Sequence, residues 1–245
     1  MYSEKGAPLY DYLMQDAPYE RWLEWTNRVI TTRNPKMLDV GCGTGTLMSM
    51  MLSQGYDVSG VDLSESMLAA ADEKIRRLNG VKPKLHAQDM SELSLGECYD
   101  VITVFCDSLN YVLDEQDVQS SIVSFYNHLN ESGILIFDVH SLSKFLHDFP
   151  GFSYGDDDPD VSLIWNSYEL EDLENGVVHD LTFYQKQSDG NYERVDETHM
   201  QRTFSVDTYT KWLLQAGFHN VQVTADFTDE APTEESERIF FVASK

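Results

Sequence analysis

Apolar and polar positions follow two rhythms along this chain. In the first part, short apolar runs alternate with longer segments whose apolar residues recur every three or four positions. The run from Lys36 to Val40 ends in glycines and predicts a buried strand. "TLMSMMLSQG", from Thr46, predicts a helix closed by Gly55. "DVSGVDLS" predicts a second strand, and Met67, Ala71, Ile75 and Leu78 then mark one face of a helix. "KPKLHAQDM" and "YDVITVFCD" predict the third and fourth strands. "DVQSSIVSFYNHLN" predicts a helix with Val118, Ile122, Phe125 and Leu129 inward, and "GILIFDVH" a fifth strand. Upstream, residues 8–31 read as helical, with Trp22, Trp25, Val29 and Ile30 on one face after Pro18. Strands alternating with helices imply right-handed crossovers, hence a parallel sheet covered on both faces.

The rhythm changes after Pro150. Strand-like stretches at roughly 161–173, 177–187 and 191–204 are joined by Asn175-Gly176 and Asp189-Gly190, dipeptides that favour tight primed turns. They predict a three-stranded antiparallel insertion. The preceding "GDDDPD" (155–160) lacks the alternating ligands and final glutamate of a calcium loop and reads as a solvated acidic loop. The first rhythm returns with "SVDTYTKWLLQAGF", a helix capped by Ser205 and closed at Gly217, then with strands "NVQVTADF" and "RIFFVAS". The expected organisation is an N-terminal helical segment (1–32), an α/β core (33–150 and 204–245) and a β insertion (151–203).

Composition narrows the partners. The 245 residues carry a net charge of −25, which repels a phosphate backbone and disfavours nucleic acid. No apolar run is long enough to span a membrane, and the N-terminus lacks the pattern of a secretory signal. Cys42, Cys98 and Cys106 are too irregular for a disulfide framework or a zinc site, so no metal is expected and a reducing cytoplasm is the expected compartment. The edges of the insertion sheet leave monomer and homodimer both open.

The chemistry concentrates where strands end. "LDVGCGTG" follows the first strand as D-x-G-x-G-x-G, with Asp39, Gly41, Cys42, Gly43 and Gly45. Glycines there either make a plain tight turn or let a ligand approach the backbone and the following helix N-terminus. Thr46 stands where a dinucleotide fingerprint needs its third glycine, and no G-K-[ST] is present, so neither that fingerprint nor a P-loop is matched. Asp39 supplies negative charge, which suits an ammonium or sulfonium ligand. Asp62 ends the second strand and reads either as a helix cap, a task Ser64 can take, or as an acceptor for ribose hydroxyls. Asp89, in "AQDM" with Gln88 and Met90, reads as a surface turn or as a partner for an adenine amine, with Leu63 and Met67 available to pack on the ring.

These motifs, with "VDLSESML", "YDVITVFCDSLNYV" and "LLQAGF", resemble those of the class I S-adenosylmethionine-dependent methyltransferases in order and spacing, over roughly residues 33–140 and 204–245. The N-terminal segment and insertion look like those of stand-alone small-molecule enzymes such as glycine N-methyltransferase-like proteins. The resemblance implies a Rossmann-like, doubly wound, mostly parallel seven-stranded sheet of order 3-2-1-4-5-7-6 with its last strand antiparallel. It implies S-adenosylmethionine as cofactor, its methionine part on the glycine turn, its ribose on Asp62 and its adenine on Asp89. Phe105, Cys106 and Asp107 then border the cofactor near the methyl-transfer mouth. His140, Tyr111 and Asn110 are the catalytic candidates: His140 is a base or orienting group, or a histidine bonded to a loop; Tyr111 is a hydroxyl donor or aromatic wall, or packing. Tyr2, Tyr10 and Tyr12 are candidates for a lid. The implied acceptor is a small molecule; an RNA or protein acceptor, or a non-catalytic binding module, are the alternatives.

Overall fold

The computed structural model of the chain describes residues 6–245. Its first elements are α1 (Gly6–Leu13), α2 (Tyr19–Val29), β1 (Lys36–Val40), α3 (Thr46–Ser53), β2 (Asp57–Asp62), α4 (Glu65–Asn79), β3 (Lys84–Ala87) and β4 (Tyr99–Val104). Then follow α5 (Glu115–His128), β5 (Leu129–His140), β6 (Ser153–Asp157), β7 (Val161–Glu169), β8 (Gly176–Lys186), β9 (Tyr192–Arg202), α6 (Val206–Ala216), β10 (His219–Ala225) and β11 (Arg238–Ser244).

Seven strands form one sheet in the order β10-β11-β5-β4-β1-β2-β3. The first five pair in parallel, and β11 runs antiparallel to both β5 and β10. This is the expected order, with the last strand antiparallel. Apolar strands force the layering, because Met37, Leu38 and Val40 are buried on alternate faces and both faces must be covered. On one side α2, α3 and α4 bring Trp22, Trp25, Met48, Met51 and Ile75 against Phe105 and Phe240. On the other, α5 and α6 bring Ile122, Phe125, Tyr209 and Trp212 against Phe137 and Phe241.

The helix caps follow from sequence. Ser64 Oγ accepts from the Met67 N–H to start α4, and Ser205 Oγ from the Thr208 N–H to start α6. Three local expectations are corrected. Residues 8–31 form two helices rather than one; α2 begins after Pro18 and ends before Ile30, whose backbone is extended. Leu78, in the last turn of α4 before its Gly80 cap, is 63% exposed rather than on the buried face. The insertion has four strands, in the order β6-β7-β8-β9, because Gly155–Asp157 of the acidic stretch pair with Ser162–Ile164.

Neither hairpin in that second sheet uses the expected two-residue primed turn. Between β7 and β8, successive turns at Leu170, Leu173 and Gly176 fill residues 170–175, and only Asn175 has positive φ (55°). Between β8 and β9, Gln187 and Asn191 pair across a turn in which Gly190 alone is left-handed (φ 86°). Among the described residues no helix is long and apolar enough to cross a membrane.

Phe241 stacks on Phe137 with ring centroids 4.6 Å apart and is wholly buried. Phe241→Ala is expected to cost about 3–5 kcal/mol, read as a lower urea midpoint with an unchanged m-value.

Candidate active site

The site lies at the carboxyl ends of β1, β2 and β4, where ligands of open α/β sheets bind. Gly41, Gly43 and Gly45 all have positive φ (69°, 52° and 75°). Their reasons differ. A Cβ on Gly41 would stand 2.6 Å from Ser108 Cβ, and one on Gly45 would stand 3.0 Å from Ala71 Cβ of α4. Gly43 faces open space, with the Tyr10 ring 3.8 Å away as its nearest neighbour. The turn is thus packed from behind and open in front. Tyr10, Tyr19, Asp39, Gly41, Thr44 and Cys106 border a small cleft there.

Asp39 is buried beneath this cleft. Thr103 Oγ1 donates to its Oδ1 at 2.8 Å, and burial pushes its pKa up to about 7. Asp62 ties the glycine turn to the next strand: Gly43 N–H donates to Oδ2 at 2.8 Å and Ser64 N–H to Oδ1 at 2.9 Å. Since Ser64 caps α4, Asp62 is relieved of that task, and each of its oxygens keeps a lone pair for a ligand. Burial raises its pKa, against the pull of these two N–H donors.

The expected adenine side is less uniform. Leu63 is exposed toward solvent, whereas Met67 is turned inward and buried. Gln88 spends both ends of its amide on the Ser94 backbone, so it staples its own loop. Asp89 is exposed and accepts from the Ser91 N–H and hydroxyl through Oδ1. Met90 lies half-buried below Gly41. Cys42 Sγ packs over Gly60, and burial pushes the thiols of Cys42 and Cys106 well up, which suppresses thiolate chemistry.

Of the residues at the centre of the site, Asp107 and His140 were expected from the sequence, and Arg238 was not. Arg238, at the start of β11, sits opposite His140 of β5. Its guanidinium bonds Asp138 through Nη1 and Asp107 through Nη2, the latter at 3.0 Å. Asp138 also accepts from Trp22 Nε1 (3.0 Å) and from the N–H groups of Cys106 (2.9 Å) and Asp107 (3.2 Å). Both of those residues are left-handed, with φ 53° and 51°. Burial opposes ionisation of Asp107, but His140 and Arg238 outweigh it and hold the carboxyl well below the usual range. A lone arginine opening the apolar run "RIFFVAS" was the available signal, since a buried guanidinium requires carboxylate partners.

The three catalytic candidates separate. His140 Nε2 lies 3.3 Å from Asp107 Oδ1, while its Nδ1 is buried beside the Phe145 and Phe149 rings, with no hydrogen-bond partner among the described residues. Burial pushes its pKa down to about 4, so the ring is neutral at pH 7 and donates from Nε2. Asn110 accepts from the His140 N–H and donates to the Arg202 carbonyl, so its amide is spent on backbone. Tyr111 is 37% exposed, and its ring meets His199 edge-on at 6.0 Å. Gln201 of β9, unforeseen, donates to Asp107 Oδ2 at 2.7 Å, and its Oε1 faces His179 Nε2 at 3.3 Å. Ser167 Oγ meets His179 Nδ1 at 2.7 Å, so a bonded chain runs from the second sheet to the centre of the site.

Of the lid candidates, Tyr2 lies outside the described residues. Tyr10 borders the cleft. Tyr12 donates to Asp156 Oδ2 and the Val161 carbonyl of the second sheet. Between these two tyrosines, Asp11 accepts from Lys74 Nζ at 2.8 Å, and Lys74 also reaches the hydroxyls of Thr44 and Thr46. Helix α1 therefore joins the glycine turn to the second sheet.

A family model described as a methyltransferase domain matches residues 37–133. A relative from Geobacillus sp. (strain WCH70), named "putative methyltransferase", is 44% identical over 99% of both chains. The chain belongs to the class I S-adenosylmethionine-dependent methyltransferases. A family member from Clostridium acetobutylicum, solved by crystallography, superposes with a TM-score of 0.87 at 28% identity, over 98% of this chain and 97% of its own. The sugar N-methyltransferase KedS8 of a Streptoalloteichus species shares the fold, with a TM-score of 0.79 at 23% identity over 96% of this chain and 92% of its own. S-adenosylmethionine is the family's cofactor, and the donor set here fits it: a buried carboxylate beneath a glycine turn open on one side, and a second carboxylate with spare lone pairs.

Replacing Arg238 by Met leaves two buried carboxylates without their cation. Arg238→Met is expected to lose about 3–5 kcal/mol of stability, measured by urea unfolding.

Proposed function

We propose that the protein transfers a methyl group from S-adenosylmethionine to a small-molecule acceptor held between the sheet core and the second, antiparallel sheet. The observation that carries this reading is the bond from Gln201 of β9 to Asp107, which sets the second sheet over the carboxyl end of β4. A roof so close to the mouth suits a compact acceptor. The net charge of −25 argues against RNA, and KedS8, which shares the fold across nearly its whole length, is a sugar N-methyltransferase. The cytoplasm suits the three free cysteines; monomer and homodimer both fit the scheme.

The bound cofactor supplies an electrophilic methyl on a sulfonium, which passes in line to the acceptor's lone pair while the sulfur leaves as a neutral thioether. The chain's part is alignment and electrostatics. Asp39 faces the positive end, and the glycine turn admits the methionine part against its backbone. Asp62 accepts from the ribose hydroxyls and Asp89 from the adenine amine. Tyr10 and α1 cover the turn as a lid. Asp107, held by Arg238 and Gln201, borders the mouth. His140 and Asn110 act as positioning residues: the first donates to Asp107, and the second fixes the His140 backbone.

Two outcomes test this reading. Incubation with S-adenosylmethionine and a panel of amine-, hydroxyl- and carboxyl-bearing metabolites should yield S-adenosylhomocysteine, and methyl label entering only RNA or protein would overturn it. Asp62→Ala should weaken S-adenosylhomocysteine binding at least about tenfold in calorimetry, with the fold retained by circular dichroism.

Asp39 sets a pH dependence. Its carboxyl, raised to about 7, is mostly neutral in the free protein below that pH. A cationic ligand favours the ionised form, so binding releases a proton there. Affinity for S-adenosylmethionine should rise with pH, by up to about tenfold per unit, and level off above neutrality. Asp39→Asn should flatten this profile. The same shift makes the free protein lose stability as pH rises from the ordinary carboxyl range toward 7, because the unfolded chain ionises first.

A further inference from the structure

The cleft at the glycine turn is bordered by Asp39, by the threonines Thr44 and Thr46 and by Tyr10 and Tyr19, and none of the described residues that border it is cationic. A cation stands one step behind them. Lys74 of α4, with its side chain only 13% exposed, donates from Nζ to Thr44 Oγ1 and to Thr46 Oγ1, both at 2.8 Å. Its third bond goes to Asp11 Oδ1 of α1, also at 2.8 Å. An ammonium has three N–H groups and no lone pair, so both threonine hydroxyls accept from Lys74 and keep their own protons to donate. Thr44 gives its proton to the same Asp11 oxygen, at 2.5 Å. Tyr19 is hydrogen-bonded to the side chains of Tyr10 and Thr46.

We propose that Lys74, Thr44 and Thr46 form the subsite for the carboxylate of the cofactor's amino-acid end, and that Asp11 holds its place until the cofactor arrives. The proposal rests on the reading that the glycine turn takes the methionine part of S-adenosylmethionine. That part carries an ammonium and a carboxylate on one carbon, so the cleft that receives it needs opposite charges close together. Asp39 answers the ammonium. Beside Asp39 and Asp62, on a chain of net charge −25, a carboxylate would meet like charge. Lys74, reached through two hydroxyls that border the cleft, supplies the opposite charge.

Asp11 is suited to exchange. It is itself a carboxylate, and it already takes protons from Lys74 and Thr44, through Oδ1. Its side chain is 39% exposed, so water receives it on release, and an ion pair with so exposed a partner holds weakly. Lys74 is far more enclosed, and once Asp11 leaves it requires another anion. Replacing one carboxylate by another conserves the charge around Lys74 and leaves its bonds to the threonines in place. A ligand with an ammonium but no carboxylate would leave Asp11 where it is.

The test is calorimetry on the full chain with S-adenosylmethionine and with its decarboxylated form, which keeps the sulfonium and the ammonium. The titrations are run at pH 8, where Asp39, with its pKa raised to about 7, is mostly ionised. The unmodified chain should favour S-adenosylmethionine by about tenfold or more. Lys74→Met should abolish that preference, weakening S-adenosylmethionine about tenfold and changing the decarboxylated form by less than about twofold. Lys74→Arg, which keeps the charge, should restore part of it. Asp11→Asn keeps the shape and removes the competing charge, so it should tighten S-adenosylmethionine several-fold and leave the decarboxylated form unchanged. If Lys74→Met does not fold, the Asp11→Asn result decides by itself. No preference in the unmodified chain, an equal loss of both ligands in Lys74→Met, or weaker S-adenosylmethionine binding in Asp11→Asn would each overturn the subsite and leave methyl transfer standing. Failure of the unmodified chain to bind either ligand would remove the cofactor reading, and the subsite with it.

Discussion

The site depends on one cation placed between two buried carboxylates. Arg238 lies only 16% exposed, against Asp107 on one side and Asp138 on the other, with its guanidinium 5.1 Å from the Trp22 ring. Two carboxylates this close and this buried could not both ionise without it. With it in place, Asp138 can accept two consecutive backbone N–H groups and hold Cys106 and Asp107 in the left-handed region, a conformation that costs of order 1–3 kcal/mol per residue. That strain turns the chain sharply at the end of β4 and aims Asp107 back toward His140. The antiparallel last strand has a role beyond closing the sheet. Because β11 returns beside β5, its first residue arrives level with His140, at the end of the sheet where the parallel strands finish.

The same aspartate joins the two sheets. Gln201 reaches Asp107 from β9; the Asn110 amide spans the backbones of His140 and Arg202; and Thr203 Oγ1 donates to the His140 carbonyl. At the other end of the second sheet, Tyr12 holds β6 and β7, while Asp11, on the same helix, holds Lys74 and Thr44 at the glycine turn. The roof is thus fastened both to the methyl-transfer mouth and, through α1, to the turn proposed to take the cofactor. A displacement of α1 would therefore be felt at both places.

The parallel core was legible because its signals are local. Buried strands with glycine or aspartate at their ends, and helices with one apolar face, read directly from residues such as Met37, Leu38, Ile122 and Phe125. The caps at Ser64 and Ser205 were legible for the same reason. Features that depend on distant partners were not. The acidic stretch at Gly155–Asp157 looks solvated until its backbone pairs with β7 and Tyr12 donates to Asp156. Asn175-Gly176 looks like a tight turn until Leu170 and Leu173 fold beneath it. Gln88 looked like a ligand contact because of its place after β3, but its amide is satisfied six residues on, by Ser94. Arg238, 100 residues from Asp138, carried no local sign of the partner it would find.

Three histidines face the space between the sheets, and burial lowers the pKa of each: His140, His179 and His199. At pH 7 they supply no positive charge. The single arginine at the centre is matched by two aspartates. The carboxylates that border the glycine turn are Asp62 and, once a cation raises its ionised fraction, Asp39. Methyl transfer from a sulfonium conserves one positive charge and moves it from sulfur to the acceptor. Carboxylates at the glycine turn favour that charge before transfer, and neutral imidazoles nearby avoid opposing its movement.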